Sequence, residues 1–239
     1  MRANGLVIGA WAGYAAVALV HLVALGAGHT SLAVSTQPLL MPLLLLVLVA
    51  HRPRWNRTLV LAAMAIGAAG LGDVVPQALA EDARRTAAAA LFLGTLMLYA
   101  GALLPLWWRQ RSLSRTLLAI PVTAVVLGLA VSCLPGAAGR WLPMLLLYGL
   151  MLGVVAFLGA GVNGWTWVGS SLFLLSSTLI AMKWFLPGAW FPHADVVIMA
   201  CYITAQALLL RGLLTAADDQ PPRPRRLPQG GSTLVVVEG

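Results

Sequence analysis

Apolar residues fall along this chain in long, nearly unbroken blocks separated by short polar interruptions. A helix needs about 20 predominantly apolar residues to cross a hydrocarbon core of ~30 Å. Blocks near that length lie at 6–26, 32–50, 58–80, 87–108, 114–133, 141–161, 165–186 and 195–214, which predicts eight transmembrane helices. No segment before residue 214 is long enough between blocks to form a separate soluble domain. The expectation is therefore an all-α, polytopic fold, with one membrane domain over 1–214. The remainder, 215–239, is rich in Pro, Arg and Gly, too polar to build a core, and is expected to be a disordered cytoplasmic tail.

Composition strengthens this picture: 60% of residues are hydrophobic and 9% charged, against roughly 25% charged in a soluble domain. A net charge of +8 would suggest a nucleic-acid partner in a soluble protein. Here the basic residues sit between the blocks, so no nucleic acid is expected and the charges report orientation. With a cytoplasmic N terminus, the inner segments collect Arg2, Arg52, Arg54, Arg57, Arg109, Arg111, Arg115, Arg211, Arg223, Arg225 and Arg226, whereas the outer ones hold only Arg84, Arg85 and Arg140. Both termini of an integral cell-membrane protein are thus expected in the cytoplasm. Trp55, Trp107, Trp108, Trp141, Trp165, Trp184 and Trp190 fall at block ends, where indoles favour the headgroup region. The first block follows Arg2 as a signal sequence would, but its length and His21 predict a retained helix. Cys133 and Cys201 have no redox or metal spacing and read as packing residues. Glycines at four-residue spacing, Gly5, Gly9 and Gly13 or Gly149 and Gly153, predict close helix packing within the bundle.

Against this background the stretch IGAAGLGDVVPQALA, residues 66–80, stands out because Asp73 interrupts it. An ionised carboxylate costs a few kcal/mol in hydrocarbon, so it has either a buried partner or a function. At about 1.5 Å of rise per residue, Asp73 lies roughly 10 Å inside the outer end of its span and His21 roughly 8 Å inside its own. Tyr148, Tyr202, Ser176 and Ser177 fall at similar depth, with Gln37, Lys183, His193 and Asp195 nearer the outer surface. Lipid gives no reason for polar residues of several helices to share one leaflet, whereas a polar cavity walled by spans one, two, three, six, seven and eight does. Each hydroxyl also has a purely structural alternative, a bond to a backbone carbonyl. Lys183 either pairs with Asp73 or extends its stem toward the headgroups, and His193 and Asp195 suit the start of the last helix.

The segments TQPLLMPLLLLVL, LGDVVPQAL, YGLMLGVVAFLGAG, GSSLFLLSSTLIAMKWF and CYITAQALLL resemble, in this order, the motifs of the YhhN family of lysoplasmalogenases. The resemblance implies eight helices and hydrolysis of the vinyl ether bond of lysoplasmalogens, yielding a fatty aldehyde and a glycerophospho-alcohol. It places the family's Gly-Asp motif on Gly72 and Asp73. The later Ser-Asp motif falls on Ser176 and Ser177, without its aspartate, and the Lys-Pro motif on Gln37 and Pro38, without its lysine. Tyr202, Ala205 and Gln206 keep the closing pattern.

Vinyl ether hydrolysis begins with protonation of an alkene carbon, and a carboxyl group kept from water can hold a proton to give. Asp73 is the candidate acid, with His21 and Ser177 as further catalytic candidates that would activate or orient water. Gln37, Tyr148, Ser176, Lys183, Tyr202 and Gln206 are the candidate substrate contacts. The implied partner is a lysophospholipid or another single-chain lipid within the membrane. Two other readings remain open, a member that binds a lysolipid or aldehyde without cleaving it, and a small proton-coupled transporter. There is no GxSxG elbow, HExxH helix or phosphate loop, and the four histidines are dispersed, so neither a metal nor another cofactor is expected.

Overall fold

A computed structural model describes residues 2–218 except 52, 138, 140, 187, 189 and 190. Arg52, Arg140, Trp190 and the expected tail from 219 onward lie outside the described residues. The chain folds into α1 (Arg2–Gly26), α2 (Thr30–Ala50), α3 (Arg57–Val74), a single 3-10 turn (Val75–Ala78), α4 (Glu81–Gln110), α5 (Leu113–Val131), α6 (Trp141–Val162), α7 (Gly164–Phe185) and α8 (Ala194–Asp218). Among the described residues, seven helices are long and apolar enough to cross a membrane, while α5 contributes a shorter apolar run. The last helix continues four residues beyond the expected boundary at Leu214. All eight helices start and stop close to the apolar blocks because a backbone in lipid must satisfy its own hydrogen bonds.

The local stops are chemical. Gly28, at φ 74°, lets the chain leave α1 and turn at once into α2. Asn56 accepts a hydrogen bond from Leu59 N at the start of α3. Asn163 and Thr166 form a reciprocal capping box that opens α7, and the Asn163 amide also donates to Gly212 O, tying the α6–α7 connection to α8.

The packing order is a ring. α1 packs on α2, α2 on α3, α3 on α4, α4 on α6, α6 on α7 and α7 on α8, which returns to α1 and α3; α5 lies outside the ring against α6 and α7. Its centre is filled by Leu40, Met41 and Leu44 of α2, Ile66 of α3, Leu96, Tyr99 and Leu103 of α4, Phe173 and Leu174 of α7, and Leu209, Leu210 and Leu213 of α8. The exterior is also apolar: Ile8, Leu19, Val23, Leu113 and Leu117 are more than half exposed, as a lipid-facing surface requires.

The glycine rows act differently from the expectation. A Cβ at Gly5, Gly9, Gly13 or Gly149 would meet nothing within 4 Å, and at Gly153 only a methyl group of Leu127 at 3.4 Å. Close approach is instead made by Gly169, whose Cβ would lie 2.9 Å from Leu209 N, and Gly212, whose Cβ would lie 2.5 Å from a methyl carbon of Thr166. These two let α7 and α8 touch backbone to backbone.

Candidate functional site

Pro76 cannot extend the α3 ladder because it has no N–H, so the chain tightens into the 3-10 turn and Asp73 is left on the last turn of α3. Two elements reach its carboxyl group and a third braces them. From α8, the Tyr202 hydroxyl donates to Asp73 Oδ2 at 2.9 Å. From α2, the Gln37 amide nitrogen approaches Oδ1 at 3.4 Å. From the turn itself, Gln77 Nε2 donates both to Gln37 Oε1 at 3.1 Å and to the backbone carbonyl of Asp73 at 2.7 Å. The carboxyl group is buried but not orphaned, as a desolvated polar group must be.

The aromatic shell fixes this arrangement. The Tyr202 ring meets Phe92 edge-on, with centroids 5.7 Å apart, and packs against Phe173 at 6.1 Å. Gly72 makes room for Phe92: a Cβ there would sit 3.1 Å from the ring. Pro38, next to Gln37, removes the helix bond to the carbonyl of Val34, which shares the chamber wall with Gln37.

Asp73 opens on a chamber of about 570 Å³, within the ~300–1,000 Å³ usual for small-molecule sites. Its wall comes from α2 (Val34, Gln37), α3 and the turn (Gly72, Asp73, Pro76, Gln77), α4 (Arg84, Ala88, Phe92), α6 (Tyr148), α7 (Phe173, Ser176, Ser177, Ile180, Trp184) and α8 (Ile198, Met199, Tyr202). It lies toward the face that carries the α1–α2, α3–α4, α5–α6 and α7–α8 connections, since it uses the beginnings of α2, α4, α6 and α8 and the ends of α3 and α7. Beside it, an apolar groove of about 90 Å³ runs between α4, α6 and α7, lined by groups such as Ala89, Trp141, Leu145, Ala181 and Phe185. Ala88, Phe92, Tyr148, Ser177, Ile180 and Trp184 border both spaces. On that border the Tyr148 and Ser177 hydroxyls lie 3.3 Å apart. A chamber that holds the Asp73 carboxyl group thus continues into a slot that only an apolar group suits.

Of the residues singled out in the sequence, Gln37, Asp73, Tyr148, Ser176, Ser177 and Tyr202 line this one chamber. The Ser176 hydroxyl is engaged with Ile198 O at 2.9 Å, a bond across to α8 rather than to its own preceding turn. Three candidates lie elsewhere. His21 is on α1, which contributes nothing to the chamber wall; α4 takes the place expected for the first span. Its Nδ1 lies 2.9 Å from Thr36 Oγ1, and the Thr36 hydroxyl itself donates to Leu32 O at 2.8 Å. Thr36 Oγ1 must therefore accept from His21, which assigns the proton to Nδ1 and leaves buried Nε2 with no partner. Lys183 neither pairs with Asp73 nor extends alone to headgroups: its ammonium donates to Asp195 Oδ1 at 2.7 Å. Gln206 lies one turn further along α8 from Tyr202, where its side-chain oxygen accepts from Tyr99 OH and its nitrogen has no partner.

Gln77, Arg84, Phe92 and Trp184 also line the wall without having been candidate site residues. Gln77 carried a signal, four residues after Asp73 and so on the same side of a helical turn. Phe92, an apolar residue in an apolar block, carried none. Among the described residues no three of His, Cys, Asp and Glu gather closely enough to hold a metal ion.

The sequence model of the YhhN family matches residues 32–213, well over half of the chain and including every residue of the chamber wall. No curated protein and no solved structure matches it.

Proposed function

Because this chain belongs to the YhhN family, we propose that it is a membrane hydrolase that cleaves the vinyl ether bond of lysoplasmalogens. The observation that supports this most directly is the buried Asp73 carboxyl group on the wall of a chamber that continues, past Tyr148 and Ser177, into an apolar groove. An amphiphile with one chain has that shape, and a vinyl ether needs an acid where head and chain meet. In this reading all eight helices span the cell membrane and both termini are cytoplasmic, so the chamber opens toward the outer leaflet.

The chemistry follows from which groups reach the bond. Asp73 transfers its proton to the alkene carbon one removed from the ether oxygen, and the electrons of the double bond form the new C–H bond. The positive charge then spreads over the adjacent carbon and the oxygen, where the resulting Asp73 carboxylate stabilises it. Tyr202 and Gln37 keep the carboxyl group aimed throughout. Water adds to the cationic carbon and gives up a proton to the carboxylate, restoring the acid. The hemiacetal collapses to a fatty aldehyde and the glycerophospho-alcohol. Tyr148 and Ser177, on the border between the two spaces, are the groups placed to orient that water.

Asp73→Asn keeps the shape and the Tyr202 contact but has no proton to transfer. With an alkenyl lysophosphatidylethanolamine in nanodiscs, aldehyde release should fall by at least about 100-fold, while lipid binding and thermal melting stay near wild type. Full turnover by Asp73→Asn would reject this reading. A second reading, lysolipid binding without cleavage, is favoured by the chamber's having only one carboxylate among the described residues, since Ser177 falls where the family motif has its other aspartate. Bound lipid recovered chemically intact after long incubation with the wild-type chain would support it.

A further inference from the structure

Among the described residues Arg84 is the one basic side chain on the chamber wall, and its guanidinium is fixed rather than free. Its Nε donates to Pro76 O at 3.2 Å and one terminal nitrogen to Leu79 O at 3.4 Å, so the plane is laid against the turn that follows Asp73. The other terminal nitrogen reaches Glu81 at 3.4 Å, and Glu81 is shared with Arg85 at 3.5 Å. That pairing is solvent-exposed, two-thirds so at Glu81, and exposed pairs of this kind contribute little. A guanidinium has five N–H donors, and these three contacts leave two uncommitted. If an anion takes those two, Glu81 still has Arg85. The backbone carbonyls have already fixed the orientation, which reduces the entropy lost on binding.

We propose that Arg84 is the specificity residue for the phosphate of the ligand. The phosphate of a single-chain glycerophospholipid seats on Arg84 at the chamber wall, and its chain passes the Tyr148–Ser177 pair into the groove between α4, α6 and α7. The three-carbon glycerol unit between phosphate and chain then lies in the chamber with Asp73. This placement rests on the lipid-hydrolase reading, but it concerns recognition and requires no bond to break. It also gives α4 a polar part in the chamber: its first turn supplies the cation and its next turns supply Ala88 and Phe92.

The test compares two probes of equal chain length on the full-length protein in nanodiscs, a 1-acyl lysophosphatidylethanolamine, which has no vinyl ether to cleave, and a 1-monoacylglycerol, which has no phosphate. Arg84→Gln should weaken binding of the lysophospholipid about tenfold, the size expected for a lost charge-assisted pair, and leave the monoacylglycerol within about twofold. Arg84→Lys, which keeps the charge but not the fork, should fall between them. Ala181→Phe, which fills the groove, should weaken both probes alike. Equal losses for the two probes in Arg84→Gln, or no loss for either, would overturn the assignment. Intact phosphate-dependent binding with no aldehyde release from any vinyl ether rejects the hydrolase reading alone. Turnover with a KM indifferent to Arg84→Gln rejects the phosphate assignment alone.

Discussion

By the resemblance to the family's motifs, Gln37 and Ser177 fall where a lysine and an aspartate are expected, and both face the same chamber. On that reading one negative and one positive group are absent together, which leaves the net charge of the chamber unchanged, with Asp73 as its sole carboxylate among the described residues. An isolated charge added to such a site is costly, whereas an added pair is partly compensated. Ser177→Asp should lower the stability by about 1–3 kcal/mol, Gln37→Lys, whose ammonium would meet the Asp73 carboxyl group that Gln37 now contacts, by less, and the double variant should recover roughly half of the summed loss. Melting curves of the four proteins in one detergent decide it. Strictly additive losses would mean that the two departures arose without electrostatic reference to each other. The same residues show how far the site could be read from sequence. Asp73, Gln37, Tyr148, Ser177 and Tyr202 were legible because a polar side chain at a given depth of an apolar block is rare and its depth follows from helical rise. His21 has the same depth but points to Thr36, and rotation about a helix axis relative to its neighbours is not encoded in spacing alone.

At the scale of elements, hydrophobic blocks were sufficient to locate the helices, because lipid leaves the backbone no other way to satisfy itself. Which helices would meet was less legible. The row Gly5, Gly9 and Gly13 has the spacing of a contact face, yet among the described residues no atom lies within 4 Å of a Cβ placed there. Gly169 and Gly212, on different helices and without any such row, carry the close contact between α7 and α8, where Thr166 and Asn163 reach across the α6–α7 connection to α8. Small residues only permit close approach; the capping hydrogen bonds decide where it occurs. Gly212→Val would force its side chain into Thr166 and Asn163, so it should destabilise the fold by about 1–3 kcal/mol, the cost of overpacking, and lower the melting temperature of the detergent-solubilised chain. Gly9→Val should be nearly silent in the same assay. Comparable destabilisation by both would show that the first helix packs more tightly than this ring allows.

At the scale of the whole molecule, the ring puts its chamber toward one end and its densest apolar packing toward the other, so the protein is chemically polarised across the membrane. α4 is the element that sequence depth could not assign to the chamber, since Ala88 and Phe92 look like any lipid-facing residues until α3 and α6 are placed on either side of them. Polarisation makes orientation a functional property: a chamber opening away from the cytosol takes lipid from the outer leaflet. The Arg-rich connections after α2 and α4 contrast with the pair Arg84 and Arg85 on the chamber face, and this asymmetry favours a cytoplasmic location for the former. Single cysteines in a chain with Cys133 and Cys201 replaced by alanine provide the measurement. A membrane-impermeant maleimide should label Arg85→Cys in intact cells and Arg54→Cys only after permeabilisation. The reverse pattern would turn the chamber toward the cytosol, and the lipid supply would then have to come from the inner leaflet.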